Sequence, residues 1–245
     1  MKIVSRLRRT VLVVLPLALV GAGCDIDDLT LDCRDDDCGP MITRTYDLAD
    51  FEAIHVEDAF RVTVRQAASF HVEVSVPERR EDDLEIRRDG AWLRIGGKST
   101  CGALSRVTVE LPVLRRLEAK GASQITLRDI ASPGRVELAL SEASSVEGDL
   151  AAGAILVRLA TASLAELEGS TEDLELDISE ASRARLRGLA SRRADAELRA
   201  ASTATISVSQ RLDVTASGVS VLRYIGNPEL GRVDLSGGAQ LERER

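Results

Sequence analysis

The chain has 245 residues, 32 basic against 40 acidic side chains, a net charge of −8 and only 2% aromatic residues. An acidic balance of this size argues against nucleic acid and anionic membrane surfaces as partners, since both select basic patches. The length suits one elongated domain or two compact ones, and a regular repeat in the second half favours the first.

Lys2, Arg6, Arg8 and Arg9 precede an apolar run from Val11 to Val20, followed by Gly21, Ala22 and Gly23. A basic start, a short apolar core and small residues mark an export signal over residues 1–23. The core is about ten residues, too short for a bilayer span of roughly 20. Cys24 follows at once, and the segment resembles the lipobox of bacterial lipoproteins, in which this cysteine receives a diacylglycerol and becomes the mature N-terminus. Gly21 stands where that motif usually has a branched aliphatic residue, so ordinary cleavage after Ala22 is the alternative. Lipidation at Cys24 implies several acyl tails, including palmitate, enough for stable anchoring to the inner or outer membrane of a Gram-negative envelope. Without residues 1–23 the chain carries 28 basic against 40 acidic residues, a net of −12.

Residues 24–44 read as the lipidation site and an acidic tether: DIDDLTLDCRDDDCGP (25–40) holds seven aspartates and little periodic apolar content. Asp35, Asp36 and Asp37 are consecutive, whereas calcium loops space their ligands around a glycine turn. Cys33 and Cys38 are placed to close a local disulfide in an oxidising compartment, which leaves Cys101 over. No four-ligand set of Cys or His is recognisable, so neither a metal nor a cofactor is expected.

From Tyr46 to Ile95 apolar residues alternate as in half-buried strands: Ile54/Val56, Phe60/Val62/Val64, Phe70/Val72/Val74/Val76, Leu84/Ile86 and Leu93/Ile95. The larger side chains of this stretch suit a broader cap over the open end of a stacked array. His55 and His71 fall on the outward side of the alternation, with no nucleophile set visible around them. PERREDD (77–83) reads as a charged turn. GGKSTCG (96–102) reads as a loop that places Cys101 before a strand at 107–111.

Then one pattern recurs: LEAKGAS (117–123), LALSEAS (138–144), VRLATAS (157–163), LDISEAS (176–182), AELRAAS (196–202), LDVTASG (212–218) and VDLSGGA (233–239), at steps of 21, 19, 19, 20, 16 and 21 residues. A period near 20 with strand chemistry predicts an all-β solenoid, one rung per repeat and rungs about 4.8 Å apart. The alternation sends Leu140, Leu159, Ile178, Leu198, Val214 and Leu235 into one inward column. Ala143, Ala162, Ala181 and Ala201 are expected at corners with no room for larger side chains. Ser144, Ser163, Ser182 and Ser202 beside them are expected to satisfy corner backbone groups.

These residues resemble the head GIN domain family of putative auto-transporter adhesins. The similarity rests on DLADFEAIHVEDAFRVTVRQ (47–66), VTVELPVLRRLEAKGAS (107–123), the turns KGAS, SEAS and SGGA, and VLRYIGNPEL (221–230), together covering roughly 45–243. The resemblance implies a right-handed single-stranded parallel β-helix and brings no catalytic residues. Where the family has glycine, this chain has Glu142, Thr161, Glu180 and Ala200, so a relaxed turn is expected in those rungs.

The leading functional reading is a non-enzymatic, lipid-anchored envelope protein. It displays the solenoid to a surface protein or polysaccharide through outward positions such as Arg158, Asp177, Glu197, Asp213 and Asp234. A second reading is an envelope sensing or signalling accessory. A third is a carbohydrate-active enzyme using Glu142 and Glu180, which share a turn position two rungs, roughly 9–10 Å, apart. The lack of any aromatic between Trp92 and Tyr224 argues against a sugar-binding platform there.

Overall fold

The computed structural model describes residues 38–97 and 105–244. Cys24, Cys33, Cys101, the export signal and most of the tether lie outside them, so the expected anchor and disulfide do too; Cys38 is buried. The folded body begins at Met41, because residues 41–44, assigned to the tether from sequence, belong to a strand.

Among the described residues, sixteen strands form one sheet system. The first eight are β1 (Met41–Tyr46), β2 (Ala53–Val56), β3 (Arg61–Gln66), β4 (His71–Pro77), β5 (Leu84–Asp89), β6 (Trp92–Gly97), β7 (Arg106–Leu111) and β8 (Arg116–Ala119). The remainder are β9 (Gln124–Leu140), β10 (Ser145–Leu159), β11 (Leu164–Ile178), β12 (Arg183–Leu198), β13 (Thr203–Ala216), β14 (Val221–Ile225), β15 (Glu229–Leu235) and β16 (Gln240–Glu244). Strands β9 to β13 stack in parallel as successive coils of a β-solenoid with about seven turns and rungs of around 19 residues.

The N-terminal rungs are not stacked in chain order. Strands β2 and β3 lie between β6–β7 on one side and β8–β9 on the other, all parallel. Strands β4 and β5, joined by a 3-10 helix at Glu78–Asp83, run antiparallel over β7 and β6, and β1 runs antiparallel to β4. The cap anticipated from the larger side chains is therefore a rung laid backwards across the coil. It covers a core that holds Phe51 and Phe60, both fully buried.

Inward columns run the length of the coil, each fully buried Leu, Ile or Val contributing about 1.5–3 kcal/mol. Leu140, Leu159, Ile178 and Leu198 share one column, as the alternation requires. The next member is Ala216, not Val214, and then comes Leu235. Val214 stands in the neighbouring column with Leu176, Ala196 and Val233. The sixth repeat therefore ends at Ser220 rather than Gly218, and the steps become 18 residues from Ser202 and 19 onward to Ala239. The Ala216-Ser217 pair imitates the Ala-Ser of the other turns. A slip of two residues keeps every side chain on its face, so the inward and outward assignments survive it.

The corners hold two consecutive residues in the left-handed region: Glu142/Ala143, Thr161/Ala162, Glu180/Ala181 and Ala200/Ala201, with φ between 53° and 63°. This is the type I′ turn of tight hairpins. The non-glycine residues thus keep the glycine-like conformation instead of relaxing it. The alanines are exposed, so room does not limit them. Their left-handed backbone carries a steric cost of roughly 1–2 kcal/mol per residue, and a β-branched Thr161 meets it most severely.

Ser123, Ser144, Ser163, Ser182, Ser202 and Ser220 are all buried beside these turns. The hydroxyls of Ser123, Ser163, Ser202 and Ser220 donate to the carbonyl three residues back at 2.6–2.8 Å. Those of Ser144 and Ser182 accept from the backbone N–H of Ser123 and Ser163 in the preceding rung at 3.2 Å. The opposite corner needs true glycine. A Cβ on Gly148 or Gly169 would lie 2.0 or 2.2 Å from the carbonyl oxygen of Leu127 or Leu150.

Candidate functional site

The outward side of the coil carries the candidate site, because the residue between two inward positions of each rung joins a continuous outer column. That column passes from His55 through Glu118, Ala139, Arg158 and Asp177 to Glu197. Asp234 belongs to it beyond Thr215. Asp213 does not; it stacks on Asp195 one column over, another consequence of the two-residue slip.

Small side chains open a cleft of about 330 Å³ on this face. Ala139 interrupts the charged column, and beside it Ser141, Ala160 and Ser179 follow one another from rung to rung. His55, Glu118 and Lys120 close one end, while Asp177 and Arg199 close the other.

The first end is an organised charge cluster. His55 is largely buried on β2, with Nδ1 3.1 Å from Glu118 Oε2 and Nε2 3.5 Å from Glu57 Oε2. Since a carboxylate only accepts, the 3.1 Å contact needs the proton on Nδ1. Lys120 Nζ lies 2.8 Å from Glu57 Oε2. That hydrogen bond holds the Glu57 carboxyl below its ordinary range and raises the Lys120 ammonium above its own. Arg116 joins Glu118 at 2.8 Å and lies over the Trp92 ring. Sequence reasoning placed His55 on the surface and saw no partners. Glu118 is 63 residues away and becomes its neighbour only because β2 inserts beside β8. At the other end Arg199 donates to Asp177 Oδ1 at 2.6 Å and also pairs with Glu197.

A second network spans the next two outer columns. Arg193 makes a two-pronged pair with Asp173 at 2.5 and 2.8 Å, and Arg211 one with Asp213 at 2.7 and 3.0 Å. Arg135 reaches from its own rung to Glu175 two rungs on, at 2.8 Å. Between them Leu156, an outward residue, is buried. It stacks between Glu137 and Glu175, and Arg135 pairs with both.

His71 stands opposite Glu110 across β4 and β7. Glu142 and Glu180 sit exposed on the turns and do not line the cleft; Glu180 Oε2 accepts from the Thr161 hydroxyl at 2.7 Å. Glu142 adds a minor share to the raised Lys120 ammonium, but neither candidate carboxylate lines the cleft. Among the described residues no cluster of three or more His, Cys, Asp or Glu is arranged to hold a metal ion.

Residues 50–228 match the family described as "Putative auto-transporter adhesin, head GIN domain". The chain belongs to this family. No curated protein matches the sequence. Among solved structures, the head GIN domain is similar to a Bacteroides fragilis protein described as a putative adhesin, with 14% identity, a TM-score of 0.77, and 84% of this chain and 97% of the other covered. A putative adhesin from Parabacteroides merdae gives 16% identity and a TM-score of 0.66 over 84% and 97% of the two chains. A Parabacteroides distasonis protein described as a putative lipid binding protein gives 16% identity and 0.63 over 84% and 98%. At these identities the likeness concerns the fold. In the head GIN domain seen here the corners at 142–143, 161–162, 180–181 and 200–201 carry no glycine.

Proposed function

We propose that this protein is a non-enzymatic envelope scaffold, anchored through a lipid on Cys24, whose solenoid offers its outer columns to a surface protein or polysaccharide. The observation that carries this reading is the regularity of the outer face: charges at fixed rung spacing flank a shallow cleft floored by small residues. A long surface with many equivalent contacts suits binding by shape and charge. The carboxylates with the best spacing for sugar hydrolysis point to solvent on turns outside the cleft, which favours binding over chemistry. The family and the similar structures described as adhesins support the same reading, as do the signal-like segment 1–23 and the acidic stretch 25–40.

Two experiments test it. Cys24→Ala should move the protein from the membrane to the soluble fraction of lysed cells, and protease added to intact cells should remove it if the anchor faces outward. A binding role for the cleft predicts that Arg158→Glu with Asp177→Lys abolishes retention of the purified chain on isolated cell envelopes, while Glu142→Gln with Glu180→Gln leaves it intact. Equal retention by both pairs would remove the cleft from the proposal.

A further inference from the structure

The end of the coil opposite the cap is an open step. Among the described residues β15 is hydrogen-bonded only to β13, and β16 only to β14. Each therefore presents one free edge, a template for another strand. The inward side chains of β15 are bare as well: Leu230, Val233 and Leu235 are 44%, 39% and 42% exposed, whereas Leu212, Val214 and Ala216 below them are at most 1% exposed. Strands β15 and β16 occupy consecutive half-turns joined by the turn at 236–239, so β16 stands half a rung higher than β15.

We infer that this end pairs with the same end of a second copy of the chain, about a twofold axis. The step decides how. If β15 met its own counterpart, the two higher β16 strands would collide. If β15 of one copy lies antiparallel to β16 of the other, the low edge of each fills against the high edge of its partner, and both pairings form at once. Charge selects the register. With Val233 opposite Leu241 of the second copy, apolar inward residues meet and Arg232 faces Glu242. A shift of two residues would instead set Asp234 against Glu242, and like charges directly opposite are disfavoured. In the single chain Arg232 holds Asp195 and Asp234 at 3.5 and 3.8 Å, and Glu242 accepts from Arg223 at 2.8 Å. All are exposed pairs, so Arg232 of the second copy would join Glu242 as a second cation. At the capped end β1 and β5 also keep one free edge each among the described residues, but the inward residues there, Val72, Val74, Leu93 and Val107, are already buried.

Sedimentation velocity of the full chain in detergent tests the inference, with circular dichroism on each variant as the folding control. The wild type should sediment as a dimer. Arg232→Glu and Glu242→Arg should each weaken dimerisation by about tenfold, since each turns two symmetry-related attractions into repulsions. The double variant Arg232→Glu/Glu242→Arg should regain the dimer, which a folding defect in either single variant could not produce. A wild type that sediments as a monomer at every accessible concentration overturns the inference. So do single variants that dimerise undiminished, or a double variant that stays apart. Neither residue lines the cleft, so retention on cell envelopes should be unchanged, and failure here is separable from failure of the scaffold reading.

Discussion

The two ends of the solenoid carry the same alternation and meet opposite fates. At the N-terminal end the outermost parallel rung, β6–β7, is roofed by the reversed strands β4 and β5, and Val72, Val74, Leu93 and Val107 are buried. At the other end β15 repeats the inward pattern of β13, yet its three apolar residues stand exposed. Alternation decides which way a side chain points. Burial follows only when another rung is laid above it, so stability in a coil of this kind is a property of neighbouring rungs.

The strongest way to break this contrast is from the middle. Ile178→Asp would put an unpaired carboxylate in a column between Leu159 and Leu198 and should cost more than about 4 kcal/mol. Hydrogen exchange should show β11 to β16 losing protection while β2 to β7, held by the cap, keep it. Uniform loss over all strands would mean that the rungs unfold as one unit. The ends can then be compared directly by truncation. Phe60→Ala, at a fully buried site under the cap, should cost about 3–5 kcal/mol. Leu235→Ala, already 42% exposed, should cost less than about 1 kcal/mol in dilute protein. Chemical denaturation measures both, and equal costs would show that the open end is covered.

Much of this architecture was legible before the structure. Six of the seven repeats align on the correct residues: the five over 117–202, whose turns keep a small residue followed by serine, and the last at 233–239. The slip at the sixth arose where Ala216 fills a column held by Leu or Ile in the four preceding rungs, so a core residue looked like a corner. The turn conformation was misjudged because glutamate and threonine rarely accept positive φ. Here, stacking restrains each turn: the Ala143 and Ala162 N–H groups donate to the carbonyls of Thr161 and Glu180 in the next rung, both at 2.9 Å. The cleft's charged end was not legible at all, since it depends on β2 slipping between two later rungs, an event of topology with no local pattern.

Smaller substitutions sharpen the picture at each end. Arg80 is buried under the cap, where its guanidinium donates to Ser105 at 2.6 Å and lies 5.6 Å from the Phe60 ring centre. Arg80→Met preserves the stem and removes both contacts, which should cost about 1–3 kcal/mol because the Ser105 hydroxyl is left buried. In the coil proper the sign reverses. Thr161→Gly relieves a β-branched residue at φ 53° and should stabilise by about 1 kcal/mol despite losing the hydrogen bond to exposed Glu180. A lowered melting temperature would show that the Thr161 bond outweighs its backbone cost.

Acid should separate the ends by the smallest margin. Glu57, beside the cap, is held below its ordinary value of 4.5 by the hydrogen bond from Lys120 and, less strongly, by His55. A carboxyl whose folded value is depressed contributes stability that is fully present above the unfolded value and is lost as pH falls through the folded one. Wild-type stability should therefore decline from near pH 4.5 downward, and Glu57→Gln should flatten that limb. The group is 38% exposed, so solvent screening keeps its share below about 1 kcal/mol. Asp213, in the coil near the open end, is also lowered, first by Arg211 and then by the Arg232 backbone N–H. Its ordinary value is 3.8 against 4.5 for Glu57, so its share is lost only at lower pH, and Asp213→Asn should change the limb above pH 3 less than Glu57→Gln does. Thermal melts between pH 3 and 6 decide the comparison: if Asp213→Asn flattens the limb more than Glu57→Gln, acid sensitivity belongs to the outer charge network rather than to the cap.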